Sequence, residues 1–329
     1  MSESIITLTM NPAIDKNTAV ESVASDQKLR CRPPRFEAGG GGINVARAAA
    51  KLGGSAQALY PAGGFTGGLL ESLLDREGLE HLRIPIEGMT RENLTVYESS
   101  TGSQYRFGMP GARMSEEEWR SCLKTIHDRA KGSPCFLVLS GSLPPGVPDD
   151  FYARAVYSMN GTGCRIIVDT SGSALRKAAE EGVYLLKPNL RELGQIVERE
   201  LRDEEEQEAA ARQLIESGKS SVVIVSLGGA GALLVTRDEA GGIRTENLRA
   251  PRVPIRSRIG AGDSMVAGIL LALTRGEDLR GAVQFGMAAG ASAVMTEGTE
   301  LCRRDDTERL FERLKAQENT PRPPTGDSQ

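Results

Sequence analysis

The sequence contains no apolar run near the ~20 residues that a bilayer-spanning helix needs. Its first ten residues, MSESIITLTM, lack a basic region followed by a long apolar core. We therefore expect a cytoplasmic location. A basic excess is also missing, since 40 Lys and Arg stand against 44 Asp and Glu. A surface that neutralises a nucleic-acid backbone is not indicated, and neither nucleic acid nor a membrane is predicted as a partner.

The cysteines form no recognisable pattern. Cys31, Cys122, Cys135, Cys164 and Cys302 are far apart, odd in number and free of any CxxC pair. Neither a disulfide framework nor a zinc site is predicted, so free thiols are expected.

Two familiar nucleotide-binding signatures are missing as well. No GxGxxG links the first strand to the first helix with an acid ~20 residues further on, and no GxxxxGK is followed by Ser or Thr. A nicotinamide oxidoreductase of the Rossmann type is therefore disfavoured.

What the sequence does contain is a regular alternation of two patterns. Short apolar, β-branched runs predict strands at 4–10, 136–141, 165–170, 183–189 and 221–228. Between them, apolar residues three and four apart predict helices at 43–53, 67–78, 115–130, 150–161 and 204–218. Fully apolar strands are typical of parallel sheets covered on both faces. The β-α-β-α order favours an open three-layer α/β fold.

Two stretches depart from this alternation. Residues 15–37 and 90–109 are polar with apolar residues at every second position, which predicts additional strands outside the core. If these strands pair, they form a small sheet that covers a site. The core then consists of 1–14, 38–89 and 110–317. The polar, proline-rich end, 318–329, predicts a disordered tail.

The stretch IGAGDS at 259–264 carries the clearest chemical signal, because an apolar segment with a helical pattern follows it directly. The backbone N–H groups of Gly260, Ala261 and Gly262 at the head of that helix predict an anion hole. Asp263 is then in position to accept a proton. Asp263 as a simple helix cap is the alternative, but a cap does not account for the glycines. An anion hole beside a carboxylate suits a kinase that acts on an alcohol.

Five segments together resemble a known family, the ribokinase-like carbohydrate kinases of the PfkB family. They are GGGGINVARAAAKLGG (39–54), SGSLPPGV (140–147), KPNLRE (187–192), SLGGAGAL (226–233) and GAGDS (260–264). Within the family, NPAID (11–15), KLRC (28–31), TRENL (90–94), QYRFGMPG (104–111) and GTELC (298–302) resemble the members that act on fructose 6-phosphate. The resemblance implies a ribokinase-like three-layer α/β/α core with a mainly parallel sheet and a small β-sheet lid.

The resemblance also implies roles for individual residues. It makes Asp263 the base toward a sugar hydroxyl, with Gly260, Ala261 and Gly262 as the anion hole. Sugar hydroxyls would contact Asp15, Gly40, Gly41 and Asn44, and the sugar's phosphate would contact Lys28, Arg91, Arg106 and Ser142. Without the resemblance, Asp15 fits a turn residue after Asn11 and Pro12, and the basic residues fit solvated strand edges.

Further residues are implied for ATP and for two cations. ATP is expected near Lys187, Asn189, Ser226, Gly228 and Gly231, with Mg²⁺ held by Glu192 and Asn189. A possible K⁺ would bind the backbone carbonyls of Ser257, Ile259, Ala293, Thr296 and Gly298. Glu300 stands where the family more often has arginine or serine.

The activity implied is ATP-dependent phosphorylation of the 1-hydroxyl of fructose 6-phosphate. Kinases of tagatose 6-phosphate or fructose 1-phosphate share the same motifs and remain alternatives. A non-catalytic sensor of sugar phosphate or nucleotide is a hypothesis of another class, although a binding protein needs no base. An apolar lid face with Val20, Val23 and Val96 predicts a homodimer formed through the lid.

Overall fold

The computed structural model describes residues 3–132, 134–296 and 298–318, which fold around two sheets. The larger sheet contains β1 (Ser4–Thr9), β4 (Gln57–Ala62), β5 (His81–Pro85), β8 (Cys135–Ser140), β9 (Arg165–Asp169), β10 (Val183–Leu186), β11 (Ser220–Ser226), β12 (Ala232–Arg237) and β13 (Ile243–Leu248). The smaller sheet contains β2 (Ala13–Val20), β3 (Arg35–Gly39), β6 (Arg91–Glu98) and β7 (Gln104–Phe107). We call the smaller sheet the lid.

Ten helices are described. They are α1 (Gly41–Lys51), α2 (Gly64–Arg76), α3 (Glu116–Ala130), α4 (Phe151–Ser158), α5 (Gly172–Glu180), α6 (Leu190–Ile196), α7 (Glu204–Glu216), α8 (Ala261–Thr274), α9 (Leu279–Val294) and α10 (Arg304–Glu318). None of the helices in these residues is both long enough and apolar enough to cross a bilayer.

The strands of the larger sheet run in the order β13-β12-β11-β10-β9-β8-β1-β4-β5. From β11 to β5 every pairing is parallel, whereas β12 and β13 add an antiparallel edge. Neighbouring strands in a parallel sheet need helical crossovers, which explains the alternation seen in the sequence. The predicted α/β class with a mainly parallel sheet and a second small sheet is confirmed.

Both faces of the larger sheet are covered. Successive residues of a strand point to opposite faces, so Ile5 and Phe136 belong to one hydrophobic core while their neighbours Ile6 and Leu137 belong to the other. Helices α1, α2, α8, α9 and α10 contribute to the first core, and α3 to α7 contribute to the second. This arrangement buries the strands on both sides and brings their carboxyl ends together at one edge.

The packing of α8 against α9 fixes the helix that follows GAGDS. A Cβ added to Gly268 would lie only 2.9 Å from the Cα of Gly286, so the two helices approach closely where both have glycine. Residues Ser264 to Ala272 of α8 are all buried. The helix is thereby held as a rigid support for its own first turn.

The lid strands follow the order β3-β2-β6-β7. β2 and β6 are parallel, and the other two pairs are antiparallel. The chain enters the lid from β1 and leaves it into α1, and it returns after β5 through β6 and β7. The predicted tail at 318–329 lies outside the described residues except for Glu318, which ends α10.

The expectation for the cysteines was wrong in one respect. Cys135, at the start of β8, and Cys164, just before β9, form a disulfide, whereas Cys31, Cys122 and Cys302 are free. The two bonded residues are 29 positions apart in sequence, and only the pairing of β8 with β9 makes them neighbours. Spacing alone carried no signal of that pairing.

Candidate active site

The candidate site lies at the carboxyl ends of the parallel strands, where the N-termini of three helices converge. β1 leads toward α1 through the lid, β10 leads directly into α6, and α8 begins after the loop that follows β13. Helix N-termini expose unpaired N–H groups and carry partial positive charge, so this edge of the sheet favours anions.

The first turn of α8 presents backbone amides without a side-chain cap. Its N-cap residue is Gly260, at φ 70°, a left-handed conformation that favours glycine. A Cβ at this position would also lie 2.5 Å from Cδ2 of Leu301. Asp263 does not cap the helix, since its Oδ2 instead accepts a hydrogen bond of 2.9 Å from Nδ2 of Asn44 in α1. The capping alternative for Asp263 is therefore not what the structure shows.

The environment of Asp263 makes its carboxyl group unusually basic. Burial raises its pKa, and the negative charge of Asp169 raises it further, while the Asn44 hydrogen bond and Lys187 oppose both effects. The resulting pKa is about 6. A carboxylate with this pKa is ionised at neutral pH, yet it is a far better proton acceptor than an exposed aspartate.

Lys187, predicted as a nucleotide contact, is buried and paired with an acid that the sequence reasoning missed. Its Nζ lies 3.2 Å from Oδ1 of Asp169, the last residue of β9. Burial lowers the pKa of Lys187, but the negative charge of Asp169 and its hydrogen bond outweigh burial, and the pKa is raised. Lys187 is therefore a fixed positive charge. The signal available in the sequence was an acid that ends an apolar strand.

Asp15 occupies the lid side of the same site. Its Oδ1 accepts a hydrogen bond of 2.9 Å from Nδ2 of Asn93 on the adjacent strand β6. Burial raises its pKa, whereas Asn93 and the charge of Arg91 act in the opposite direction. Asp15 is also among the charges that raise the pKa of Asp263. The lid carboxylate and the core carboxylate therefore face one common space.

The GGGG segment at 39–42, which leads into α1, requires glycine where its backbone is left-handed or lies against a neighbouring strand end. Gly40 has φ 120°, and a Cβ on Gly41 would lie 2.2 Å from Oγ of Ser140 at the end of β8. The hydroxyl of Thr9 in β1 accepts a hydrogen bond from the Ile43 N–H at 2.8 Å. This packing places Gly40, Gly41 and Asn44 at the edge where Asp263 lies.

The residues predicted to bind the sugar's phosphate are more dispersed than those around Asp263. Lys28 and Arg106 are exposed on the lid. Arg91 is bound to the backbone, donating to the carbonyls of Met109 at 3.0 Å and Asn11 at 2.9 Å. Ser142 accepts a hydrogen bond of 3.1 Å from Nδ2 of Asn11. The structure does not join these four side chains into one cluster.

The predicted magnesium residues are engaged with each other. Asn189 is the N-cap of α6, and its side chain accepts the Glu192 N–H while the Glu192 carboxylate accepts the Asn189 N–H, both at 2.9 Å. This is a capping box. Within the described part of the chain, no group of three or more His, Cys, Asp or Glu side chains is arranged to hold a metal ion. Mg²⁺ retains most of its waters, so one carboxylate oxygen and one amide still fit it.

The predicted nucleotide turn lies beside that capping box. The Ser226 N–H donates to the carbonyl of Pro188 at 2.9 Å, which joins the ends of β11 and β10. Gly231 has φ 121°, and a Cβ there would lie 1.9 Å from the carbonyl oxygen of Leu248. The turn 226–231 therefore tolerates only glycine at its end.

The residues predicted for a monovalent cation come together from two loops. The Ser257 hydroxyl donates to the carbonyl of Gly298 at 2.7 Å, and the N–H of Ile259 donates to that hydroxyl at 3.3 Å. The Thr296 hydroxyl donates to the carbonyl of Ala293 at 2.7 Å. Glu300 forms an ion pair with Arg303 at 2.8 Å. Carbonyl oxygens are suitable ligands for a hard cation, and this loop pair brings several into one region.

Comparisons with known proteins identify the family of this chain. The sequence model of the pfkB family of carbohydrate kinases matches residues 5–306. The ATP-dependent 6-phosphofructokinase isozyme 2 of Mycobacterium tuberculosis is 48% identical over 308 residues, which cover 94% of this chain and 89% of that protein. Two structures of phosphofructokinase-2 from Escherichia coli, one in complex with potassium and one with fructose-6-phosphate, superpose with TM-scores of 0.90 and 0.88. Both are 42% identical and cover 96% of this chain and 100% of theirs.

Proposed function

We propose that this chain, which belongs to the pfkB family of carbohydrate kinases, is an ATP-dependent 6-phosphofructokinase that phosphorylates the 1-hydroxyl of fructose 6-phosphate. The observation that carries the proposal is the half-buried Asp263, whose pKa of about 6 combines with backbone amides that no side chain caps in the same helical turn. A proton acceptor and an anion-binding turn in one place are what phosphoryl transfer to an alcohol requires.

In the reaction, the 1-oxygen of the sugar forms a bond to the γ-phosphorus as the bond from that phosphorus to the β,γ-bridging oxygen breaks. The hydroxyl proton goes to Asp263, and the electron pair of the broken bond stays on ADP. The amides of Gly260, Ala261 and Gly262 stabilise the negative charge on the transferred group. Lys187, held cationic by Asp169, balances further negative charge at the same edge.

Substrate binding is divided between the core and the lid. Asp15, Gly40, Gly41 and Asn44 are proposed to bind the sugar hydroxyls, since carboxylate and amide groups each pair with two neighbouring hydroxyls. Lys28, Arg91, Arg106 and Ser142 are proposed for the 6-phosphate, because fixed positive charge and hydroxyl donors suit a phosphate.

The nucleotide is proposed to lie along the ends of β10 and β11, against Lys187, Asn189, Ser226, Gly228 and Gly231. Mg²⁺, bound mainly through water by Glu192 and Asn189, would neutralise phosphate charge. The carbonyls of Ser257, Ile259, Ala293, Thr296 and Gly298 are proposed to hold K⁺. That a structure of the Escherichia coli relative is in complex with potassium supports a role for this ion, without bearing on which residues bind it.

The outer face of the lid is proposed as a dimer interface. Phe36, Tyr105 and Phe107 are exposed on this sheet, and the pairing register places Val96 on the same face as Tyr105. An exposed apolar sheet face of this kind favours pairing with a second copy. Sedimentation velocity should show a dimer, and a monomer at micromolar concentration would refute this part. A cytoplasmic location belongs to the same proposal.

A coupled ADP-release assay with ATP and Mg²⁺ tests the function directly. Fructose 6-phosphate, tagatose 6-phosphate and fructose 1-phosphate are compared by kcat/KM. The proposal predicts the highest value with fructose 6-phosphate. A higher value with either of the others would reassign the substrate within the family, and no turnover with any of them would favour a non-catalytic sensor.

A further inference from the structure

The lid also contacts the core through three side chains to which the sequence assigned no role. Nδ2 of Asn17 in β2 donates to Oε2 of Glu37 in β3 at 3.0 Å and to Oγ1 of Thr299 at 2.8 Å. The Thr299 hydroxyl in turn donates to the same Glu37 oxygen. Thr299 belongs to the loop between α9 and α10, 282 positions from Asn17. Two lid strands and one core loop thus meet in a closed set of hydrogen bonds.

The contact lies on the face of the lid that also carries Asp15. In the antiparallel register of β2 and β3, Asp15 is opposite Glu37 and Asn17 is opposite Arg35. Residues opposite each other point to the same face, and so do residues two apart in one strand. Asp15, Asn17, Arg35 and Glu37 therefore all face the core. Thr299 is only 8% exposed, and Asn17 and Glu37 are half-buried, so these hydrogen bonds are partly shielded from water.

A second attraction acts between the same strand and the same loop. The pKa of Glu300 is lowered first by its hydrogen bond from Arg303, and the charges of Lys51 and of Arg35 on β3 lower it further. Arg35 and Glu300 thus attract each other beside the Glu37–Thr299 hydrogen bond. Two neighbouring residues of the loop interact with two inward-facing residues of one lid strand.

The loop that holds Thr299 is also tied to the first turn of α8. Leu301 packs against Gly260, where a Cβ would lie 2.5 Å from Cδ2 of Leu301. The Cys302 N–H donates to the buried hydroxyl of Ser264 at 3.4 Å. The loop residues on either side of Thr299 accept hydrogen bonds at their carbonyls, Gly298 from Ser257 at 2.7 Å and Glu300 from Thr296 at 2.6 Å.

We propose that Asn17, Glu37 and Thr299 form a latch that holds the lid closed over the sugar side of the site and fixes it relative to the first turn of α8, which carries Asp263. The latch rests on the proposed function, and its three members are positioning residues that touch neither substrate. When a closed lid is needed for binding, apparent affinity falls in proportion to the closed fraction. Loss of the latch should therefore weaken sugar phosphate binding and leave the core chemistry intact.

Thr299→Val tests the latch, because valine keeps the shape of the side chain and removes the hydroxyl. Losing the two partly exposed hydrogen bonds of this hydroxyl should raise KM for fructose 6-phosphate by about three- to tenfold, with kcat and KM for ATP changed by less than about threefold. Thr299→Ser keeps the hydroxyl and should restore KM. Thr18→Val is the matched control, since the Thr18 hydroxyl donates to the Arg32 carbonyl within the lid at 2.6 Å.

Hydrogen exchange in the absence of ligands provides a readout that is independent of activity. The amides of 13–20 and 35–39 should exchange faster in Thr299→Val than in wild type or Thr18→Val, and saturating fructose 6-phosphate should remove the difference. Asn17→Ala should behave like Thr299→Val and replaces it if the valine variant fails to fold. Unchanged exchange and KM in the latch variants, or a serine variant no better than valine, would overturn the latch. Absence of wild-type turnover would instead refute the function, and the exchange result would still decide the latch.

Discussion

The core corner, which comprises Asp263, Asn44, Lys187 and Asp169, differs from the lid in how its polar side chains are held at the site. In the core, Asp263 is half-buried and bonded to Asn44, and Lys187 is buried and paired with Asp169. On the lid, Lys28 and Arg106 are exposed. Buried, mutually bonded groups are preorganised and act in a low dielectric, whereas exposed side chains adopt one geometry only when a ligand holds them. This difference supports the proposal that the core carries out the chemical step and the lid contributes to binding.

The largest expected effect comes from removing the proton acceptor. Asp263→Asn keeps the size of the side chain and can keep a hydrogen bond with Asn44, but it accepts no proton. We expect kcat to fall by about 10²- to 10⁴-fold, with the Kd of fructose 6-phosphate within about threefold of wild type. Discontinuous ADP assays measure kcat, and titration calorimetry measures the Kd of fructose 6-phosphate.

Asp278→Asn is the matched control for that substitution. Asp278 caps α9 by accepting the Gly281 N–H at 2.7 Å, and asparagine caps a helix about equally well. Its turnover should equal that of wild type. Wild-type turnover in Asp263→Asn as well would contradict the proposal that the core carries out the chemical step.

A substitution in the lid should change KM and leave kcat nearly unchanged. Arg106→Ala removes an exposed positive charge proposed to bind the 6-phosphate, and a hydrogen bond between charged groups is worth about 1.5–3 kcal/mol. KM for fructose 6-phosphate should rise by about 10- to 100-fold while kcat stays within about threefold. Arg129→Ala, an exposed arginine on α3, serves as the control and should change neither. A fall in kcat at unchanged KM would place Arg106 in the chemical step instead.

The pH dependence of kcat at saturating substrates should follow the ionisation of Asp263. Burial, with the charge of Asp169, raises the pKa of Asp263 to about 6, and only the ionised form accepts a proton. kcat should therefore fall about tenfold per pH unit below pH 6 and be level above it. The residual turnover of Asp263→Asn should lack this decline. A decline that persists in the variant would assign it to another group, such as the substrate phosphate.

The sequence predicted the strands of the lid and candidate residues in both the lid and the core corner, but not the contacts between those residues. GAGDS named Asp263 and its amides, because glycines before an apolar helix are a local pattern. The Asn44 partner is 219 positions away, and Asp169 is a neighbour only through strand pairing, so neither contact could be read from spacing. The latch at Thr299 and the Cys135–Cys164 disulfide were missed for the same reason. The Asn189–Glu192 capping box was visible as N-x-x-E, but the sequence did not show that the two side chains bond each other.

The core corner has a property that the lid shares to a smaller extent, since the raised pKa of Asp263 makes the fold less stable when the carboxyl is ionised. The group has its ordinary pKa near 3.8 when unfolded and about 6 when folded, so the folded state binds the extra proton between these values. Stability is therefore lost as pH rises from about 4 to about 6 and stays lower above. The lid carboxylate Asp15 shares the direction of this shift, and only Asp263 shows it at this size.

The most direct test of the account compares the unfolding free energy of wild type and Asp263→Asn by denaturant titration between pH 5 and pH 8. The variant should be more stable than wild type by roughly 3 kcal/mol at pH 8, because it lacks the ionised carboxylate. The difference should fall to about half at pH 5. A variant that is less stable than wild type, or a difference independent of pH, would contradict the claim that the core disfavours the ionised form of Asp263 and thereby raises its pKa.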